Sequence, residues 1–356
     1  MKKPKPPGHG HRKPETPCPG CLHEKKPWYR EKLYIITIIL VVALMVSYSI
    51  PFLNPFFNAV VDYFALIWWA ILVGFLAGGL IDYYIPRSYI SKYLSRHQKR
   101  TILYSVFLGF FASACSHGIL ALAMELYKKG ASTPSVIAFL LASPWANLPI
   151  TILLFGFFGP NALLFILSAI VIAIITGLVY QFLDRRRWVE CRVRGEKVVD
   201  ISIRDDIRKR WESYEFTSRN LRRDFTGVMK GSWSLTRMVL WWLLIGIIMA
   251  GLARAFIPHD LFLVYAGPTA VGLLVVLLFA TIIEVCSEGS SPLAFEIYRQ
   301  TGAFGNPFVF LMAGVSTDYT EIGLIASNIG KRAALFLPLI TVPQILLLGY
   351  LFNIFL

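Results

Sequence analysis

The sequence predicts an all-α fold: a polytopic transmembrane helical bundle with two structural repeats and broken or re-entrant helices. Three observations carry that prediction. Hydrophobic residues make up 56% of the 356 and charged residues 16%, with a mean hydropathy of +0.59, too little polar surface to cover a water-soluble globule of this size. Apolar runs recur along the chain at about the 20 helical residues needed to cross a hydrocarbon core of about 30 Å. The two halves of the chain also resemble each other at a nearly constant offset.

Residues 1–32 form a basic tail rich in Lys, Pro and His, without the apolar stretch of a short cleavable signal. Run 33–50 is therefore read as a retained anchor; with its loop to 59 it stands outside the repeats. The first repeat, 60–183, holds runs 60–81, 101–127, 134–158 and 160–183. A polar insert, 184–236, opens with Asp184-Arg185-Arg186-Arg187 and separates the halves. The second repeat, 237–356, holds runs 237–257, 267–298, 307–325 and 333–356. Inside the insert, residues 201–216 (ISIRDDIRKRWESYEF) read equally as a helix lying on the membrane surface or as a solvated helix.

The formal net charge of +14 is a matter of topology. Of 35 Lys and Arg, 9 lie in residues 1–32, 5 in 82–100 and 14 in 184–236. Such confinement to stretches between apolar runs is the positive-inside pattern of loops facing an anionic leaflet, not a nucleic-acid patch. The expected partners are the lipid bilayer and a transported solute, with no nucleic acid; association with further copies of the chain is left open. The N-terminus and 184–236 are then cytoplasmic in a multi-pass protein of the cell membrane. Five cysteines, of which only Cys18 and Cys21 are closely spaced, give no disulfide framework.

The duplication is the most informative feature. WAILVGFLAGGLIDYYIP (69–86) matches WWLLIGIIMAGLARAFIP (241–258), pairing Gly74, Gly79 and Pro86 with Gly246, Gly251 and Pro258. Further on, CSHGILALAMELYKKGA (115–131) matches CSEGSSPLAFEIYRQTGA (286–303), pairing Cys115, Ser116, Gly118 and Glu125 with Cys286, Ser287, Gly289 and Glu296. Asn147 and Asp318 then occupy matching places. Three full crossings between the basic loop 82–100 and the basic insert would put the insert on the wrong side. A re-entrant hairpin broken at Cys115-Ser116-His117-Gly118, and again at Cys286-Ser287-Glu288-Gly289, removes the conflict and makes the repeats inverted, as in many secondary transporters. A single tilted helix over 101–127 stands as the alternative.

These residues resemble a known family. CSHG followed by KKGAS and FLLASPWANLP, with CSEG followed by FVFLMAGVSTDYTEIG, resembles the ArsP-type permease family, which includes organoarsenical and copper/zinc efflux permeases. The likeness covers roughly residues 60–356 and implies a permease; the expectation of efflux comes from the resemblance alone. Many relatives carry Cys-Ser-Cys-Gly where this chain has His117, with Glu288 in the second copy, and that departure leaves the cargo open.

Cys115 and His117 offer a thiolate and an imidazole, Cys286 and Glu288 a thiolate and a carboxylate, donors suited to zinc, copper(I) or trivalent arsenic. The same cysteines also read as small apolar residues packing helix on helix. The expected substrate site is Cys115, Ser116, His117, Gly118, Asn147, Cys286, Ser287, Glu288, Gly289 and Asp318. A charged acid at mid-bilayer costs about 2.5–3.5 kcal/mol on insertion scales, so Glu125, Glu284, Glu288, Glu296, Asp318 and Glu321 need a compensating role. Glu125 and Glu296 are read as a paired proton relay or ion site, or else as acids at interfacial helix ends. In the tail, His9, His11, Cys18, Cys21 and His23 could capture a metal or belong to a plain basic tail. No resident cofactor is expected, zinc or copper entering as cargo or as a tail-bound ion. No HExxH, GxSxG or Gly-Lys-Thr/Ser loop occurs, so no enzyme is expected and ATP drive would need a separate subunit. A non-transporting membrane metal sensor and a permease for an organic solute remain the alternatives.

Overall fold

The computed structural model describes residues 32–84, 99–111, 116–128, 131–190, 208, 217–283 and 286–356. Cys115, Glu284, the tail residues His9, His11, Cys18, Cys21 and His23, and the 201–216 segment apart from Arg208 lie outside the described residues, while Ser116, His117 and Gly118 are described as helical backbone.

Regular structure among the described residues is entirely helical. A peripheral α1 (Lys32–Ser49) leads into α2 (Asn54–Tyr84), α3 (Lys99–Phe111), α4 (Ser116–Lys128), α5 (Thr133–Ala146), α6 (Leu148–Phe158) and α7 (Ala162–Arg185). The second half comprises α8 (Ser218–Phe256), α9 (His259–Ala266), α10 (Ala270–Ile283), α11 (Ser287–Thr301), α12 (Gly305–Thr317), α13 (Tyr319–Asn328) and α14 (Lys331–Phe355). Apart from α9, the order of long, short and broken helices in 54–185 recurs in 218–355. Among the described residues, six helical stretches are long and apolar enough to cross a membrane, and α9 with α10, bent by 100° at their junction, passes the same test as a pair. The chain is a multi-pass membrane bundle.

Helix directions follow from the contacts. Passing along the α2 segment, Phe52 meets Phe256, Phe56 and Val60 pack on Gly251, Gly79 faces Ser232, and Tyr83 donates to Asp224 at 2.8 Å. As the number rises on α2 it falls on α8, so the two are antiparallel. The closing helices behave alike: Gln344 donates to Thr176 at 3.1 Å and Tyr180 to the Ala333 carbonyl at 2.6 Å, so α7 and α14 are antiparallel too. Small residues set these crossings, as expected where lipid supplies no hydrophobic drive between helices and close van der Waals approach must hold them.

Two faces result. One, the basic face, holds Tyr83, Asp224, Tyr180 and the start of α14; the far face holds Phe256 and the start of α12, where the Gly305 N–H donates to Asn353 at 2.7 Å. At the far face Asn306, just beyond α11, donates to the carbonyls of Ala266 and Gly267, just before α10. Entry and exit of 267–302 therefore lie side by side, and α10 with α11 forms a re-entrant hairpin whose tip is Cys286. The α3–α4 pair opens on the basic face, because Ile102 packs on Gly177 near the basic end of α7 and Thr133, following α4, donates to the Glu190 carbonyl at 3.0 Å. The hairpins enter from opposite faces, and each packs on the broken helix of the other half: α11 on α6, α4 on α13.

Two boundaries differ from the sequence reading. Helix α8 begins at Ser218, inside the stretch read as a polar insert to 236. Its 39 residues extend about 58 Å at 1.5 Å per residue, roughly twice the hydrocarbon thickness, so hydropathy could register only the apolar part. Helix α9, lying between the 237–257 and 267–298 runs, was too short to register as a span.

Glu190 ties the basic face together. Its carboxylate accepts from the backbone N–H of Arg332 and of Ala333, both at 3.0 Å, capping α14. Burial by itself would raise this carboxyl, but the backbone donors and the Arg332 charge hold it below the ordinary value. A depressed carboxyl contributes stability above its unfolded-state value and loses it as pH falls through the folded one. Glu190→Ala is therefore expected to lower stability by about 1 kcal/mol, the usual worth of a cap, read as a lower Tm at neutral pH. The difference from wild type should shrink as the pH falls below the ordinary glutamate value of 4.5 and through the lower folded-state one.

Candidate functional site

The helix breaks fall where Pro and polar residues interrupt apolar sequence. Pro144 inside α5 and Pro149 in the first turn of α6 deny the backbone a continuous ladder, and Asn147 between them is extended, with φ −68° and ψ 160°. Its Oδ1 accepts from the Ile150 N–H at 2.9 Å, capping α6. At the matching place Asp318 caps α13, accepting from the Thr320 N–H and from Thr320 Oγ1, each at 2.7 Å. At the hairpin tip Cys286, 1% exposed, caps α11 by accepting from the Gly289 N–H at 3.2 Å. All three residues singled out in the sequence thus satisfy N–H groups that lipid could not.

Glu288 lies in the first turn of α11 and is 4% exposed. The Asn147 side chain of the opposite half and the Cys286 thiol lie within hydrogen-bonding reach of its carboxylate. Its Oε2 has no partner among the described residues, nor do Ser287 Oγ and Trp145 Nε1 beside the same breaks. The positive end of α11 suits an acid at this position. Glu288 also borders a void of about 10 Å³ with Gly74, Phe75, Pro149, Leu153 and Val239, at the lower limit for one water molecule. A buried acid and a hydroxyl with unused hydrogen-bonding capacity meet the Cys286 thiol and the Asn147 amide at the crossing of the halves.

The structure brings together Cys286, Ser287, Glu288 and Gly289 with Asn147. The backbone of Ser116, His117 and Gly118 starts α4, which packs on α13. Among the described residues no three His, Cys, Asp or Glu side chains gather as a metal cluster. Glu125 and Glu296, expected to act as a pair, sit in different surroundings: Glu125 is exposed on α4, whereas Glu296 is 0% exposed and accepts from the Tyr63 hydroxyl and from Gln300 Nε2 at 2.6 Å. The matching positions belong to hairpins packed differently: α11 lies along α8, and α4 rests mainly on α5.

Sequence reading missed the rest of this network. Asp62 bonds Arg254 at 2.9 Å and lies 3.7 Å from Arg299, while His259 Nδ1 lies 3.0 Å from Gln300 Oε1. Asp62 and Arg254 were visible as lone opposite charges in apolar runs, which need a partner in a membrane; their pairing was hidden because they are 192 residues apart.

A family profile described as "Predicted permease" matches residues 53–354. A Streptococcus mutans protein whose name reads "Putative two-component membrane permease complex subunit" is 22% identical over 256 residues, covering 71% of this chain and 79% of its own. A Mycobacterium tuberculosis protein named as a "Putative permease" is 26% identical over 250 residues, covering 64% of this chain and 59% of its own. No solved structure matches the chain.

The hairpin tip docks through glycine. A Cβ on Gly246 would overlap the Gly289 carbonyl, while a Cβ on Gly323 meets nothing within 4 Å. Gly246→Ala is expected to lose about 1–3 kcal/mol by overpacking, read as a lower Tm in detergent. Gly323→Ala should be neutral or gain up to about 1 kcal/mol, as alanine normally does in a helix. Equal behaviour of the two variants would contradict the docked tip.

Proposed function

The chain belongs to the predicted permease family, and on that premise we propose that it is a secondary-active permease exporting a metal or metalloid species across the cell membrane. The observation that carries this reading is the Glu288 carboxylate, buried at a hairpin tip and met there by Asn147 of the other half. A buried acid with unused acceptor capacity beside a thiol is a donor set for a borderline or soft species, held weakly enough to be released. The duplication extends the site to Cys115, His117 and Asp318, so that each hairpin tip and the broken helix it meets contribute half of a midplane site. The halves act in this reading as inverted repeats, with antiparallel α2 and α8 as the frame against which the hairpins move. An excess of Lys and Arg supports a cytoplasmic N-terminus and basic face. Glu296, buried and hydrogen-bonded, is the better placed of the two matched acids to couple export to an ion gradient.

The test is transport in proteoliposomes supplied in turn with Zn²⁺, Cu⁺ and a trivalent organoarsenical, comparing wild type, Cys115→Ala/Cys286→Ala and Glu288→Gln. One species should move, and both variants should slow it by at least roughly 10-fold, the scale on which even outer-shell changes weaken metal sites. Full transport in both folded variants would remove these side chains from the site. Movement of none of the three by wild type would contradict the metal and metalloid cargo.

A further inference from the structure

An apolar cavity lies away from the hairpin tip. It measures about 850 Å³, within the range of pockets that enclose small organic molecules, and is walled by α8, α9, α10, α11 and α12. Its position is set by the splay of the re-entrant hairpin: Val276 and Phe279 of α10 form one wall, Leu293 and Ile297 of α11 another, and Phe310 of α12 the floor. No wall residue is charged, and Tyr265 carries the one side-chain hydroxyl among them.

Three physical considerations identify what fills it. A cavity with apolar walls gives water too few hydrogen-bond partners and stays dry. Left empty, it would forfeit the dispersion contacts of every wall atom. It is, moreover, continuous with the lipid-facing surface, because Phe256, Leu261, Tyr265 and Phe279 are wall residues and are also exposed on the outside of the bundle. The stretch of α10 that lines it, Val275 to Ile283, rises about 12 Å at 1.5 Å per residue, close to the roughly 15 Å of half the hydrocarbon core. Helix α9, bent 100° from α10, contributes Leu261, Phe262, Tyr265 and Ala266 to the wall.

We infer that this cavity is a binding site for an acyl chain of a bilayer phospholipid, inserted between the arms of the α10–α11 hairpin from the far-face leaflet. The chain completes the packing of α11 on the side away from α6. It thereby holds in place the helix that presents Cys286 and Glu288 to Asn147. This site depends on membrane embedding and not on the identity of the cargo, so it stands or falls separately from the proposed transport.

The experiment uses the full chain in liposomes of phosphatidylcholine carrying a photoreactive diazirine at the acyl terminus, with adducts located by peptide mass spectrometry. Lipid at the periphery reaches Leu278 and Ile282, which are 60% and 70% exposed, whereas Phe310 is 1% exposed and reachable only from inside the cavity. Adducts are expected at Phe310 as well as at Leu278 and Ile282. Val276→Trp, which narrows the cavity, should weaken the Phe310 adduct and leave the other two. Adducts at Leu278 and Ile282 without Phe310 in the wild type would overturn the site, whatever the variant does. So would a Phe310 adduct undiminished in folded Val276→Trp.

Discussion

Hydrocarbon offers no partner to a free backbone N–H or C=O, and this bundle breaks its helices in the middle of the membrane. Among the described residues, Asn147, Cys286 and Asp318 each cap the helix they begin, and the turns at Asn147 and Cys286 are buried in protein. The hairpin tip at Cys286 rests on α8 through two glycines and meets α6 through Asn147. Neither half could bury its own breaks alone.

That mutual dependence gives the fold its mechanical character. The antiparallel pair α2 and α8 packs along most of its length, with Gly79 against Ser232 and Gly251 against Phe56, and forms the stiff centre. Around it the hairpins enter from opposite faces. The tip of the second packs on α8 through Gly246 and Gly289 and meets α6 through Glu288, whose acceptor capacity is only partly used. A site held by capping residues and one buried acid is one that a ligand can reorganise, because a new partner for Glu288 or Cys286 changes the balance at the tip without unfolding a helix. The bilayer enters the same account: the cavity between α10 and α11 leaves one side of the hairpin to be packed by lipid.

Much of this was legible in the sequence, for identifiable reasons. Composition and run length announced a membrane bundle, since both measure the solvent directly. The duplication singled out Asn147, Cys286 and Asp318, and the described backbone starts a helix after each of them. What remained hidden was tertiary. Cys286 read as a candidate ligand or a packing residue, and its capping of α11 depends on a backbone angle the sequence does not display. The matched acids Glu125 and Glu296 differ because equivalent residues sit in differently packed hairpins. The polar start of α8 and the short α9 escaped because hydropathy detects only the part of a helix that lipid covers.

The central claim is that the two hairpins enter from opposite faces. Single cysteines at Thr269 and Thr301, flanking the second hairpin, and at Arg100 and Lys128, flanking the first, test it when labelled in sealed vesicles with a membrane-impermeant maleimide. The account expects Thr269→Cys and Thr301→Cys to react from one side, and Arg100→Cys and Lys128→Cys from the other. Labelling of Thr269→Cys and Thr301→Cys from opposite sides would make 267–302 a full crossing and contradict the account at its root.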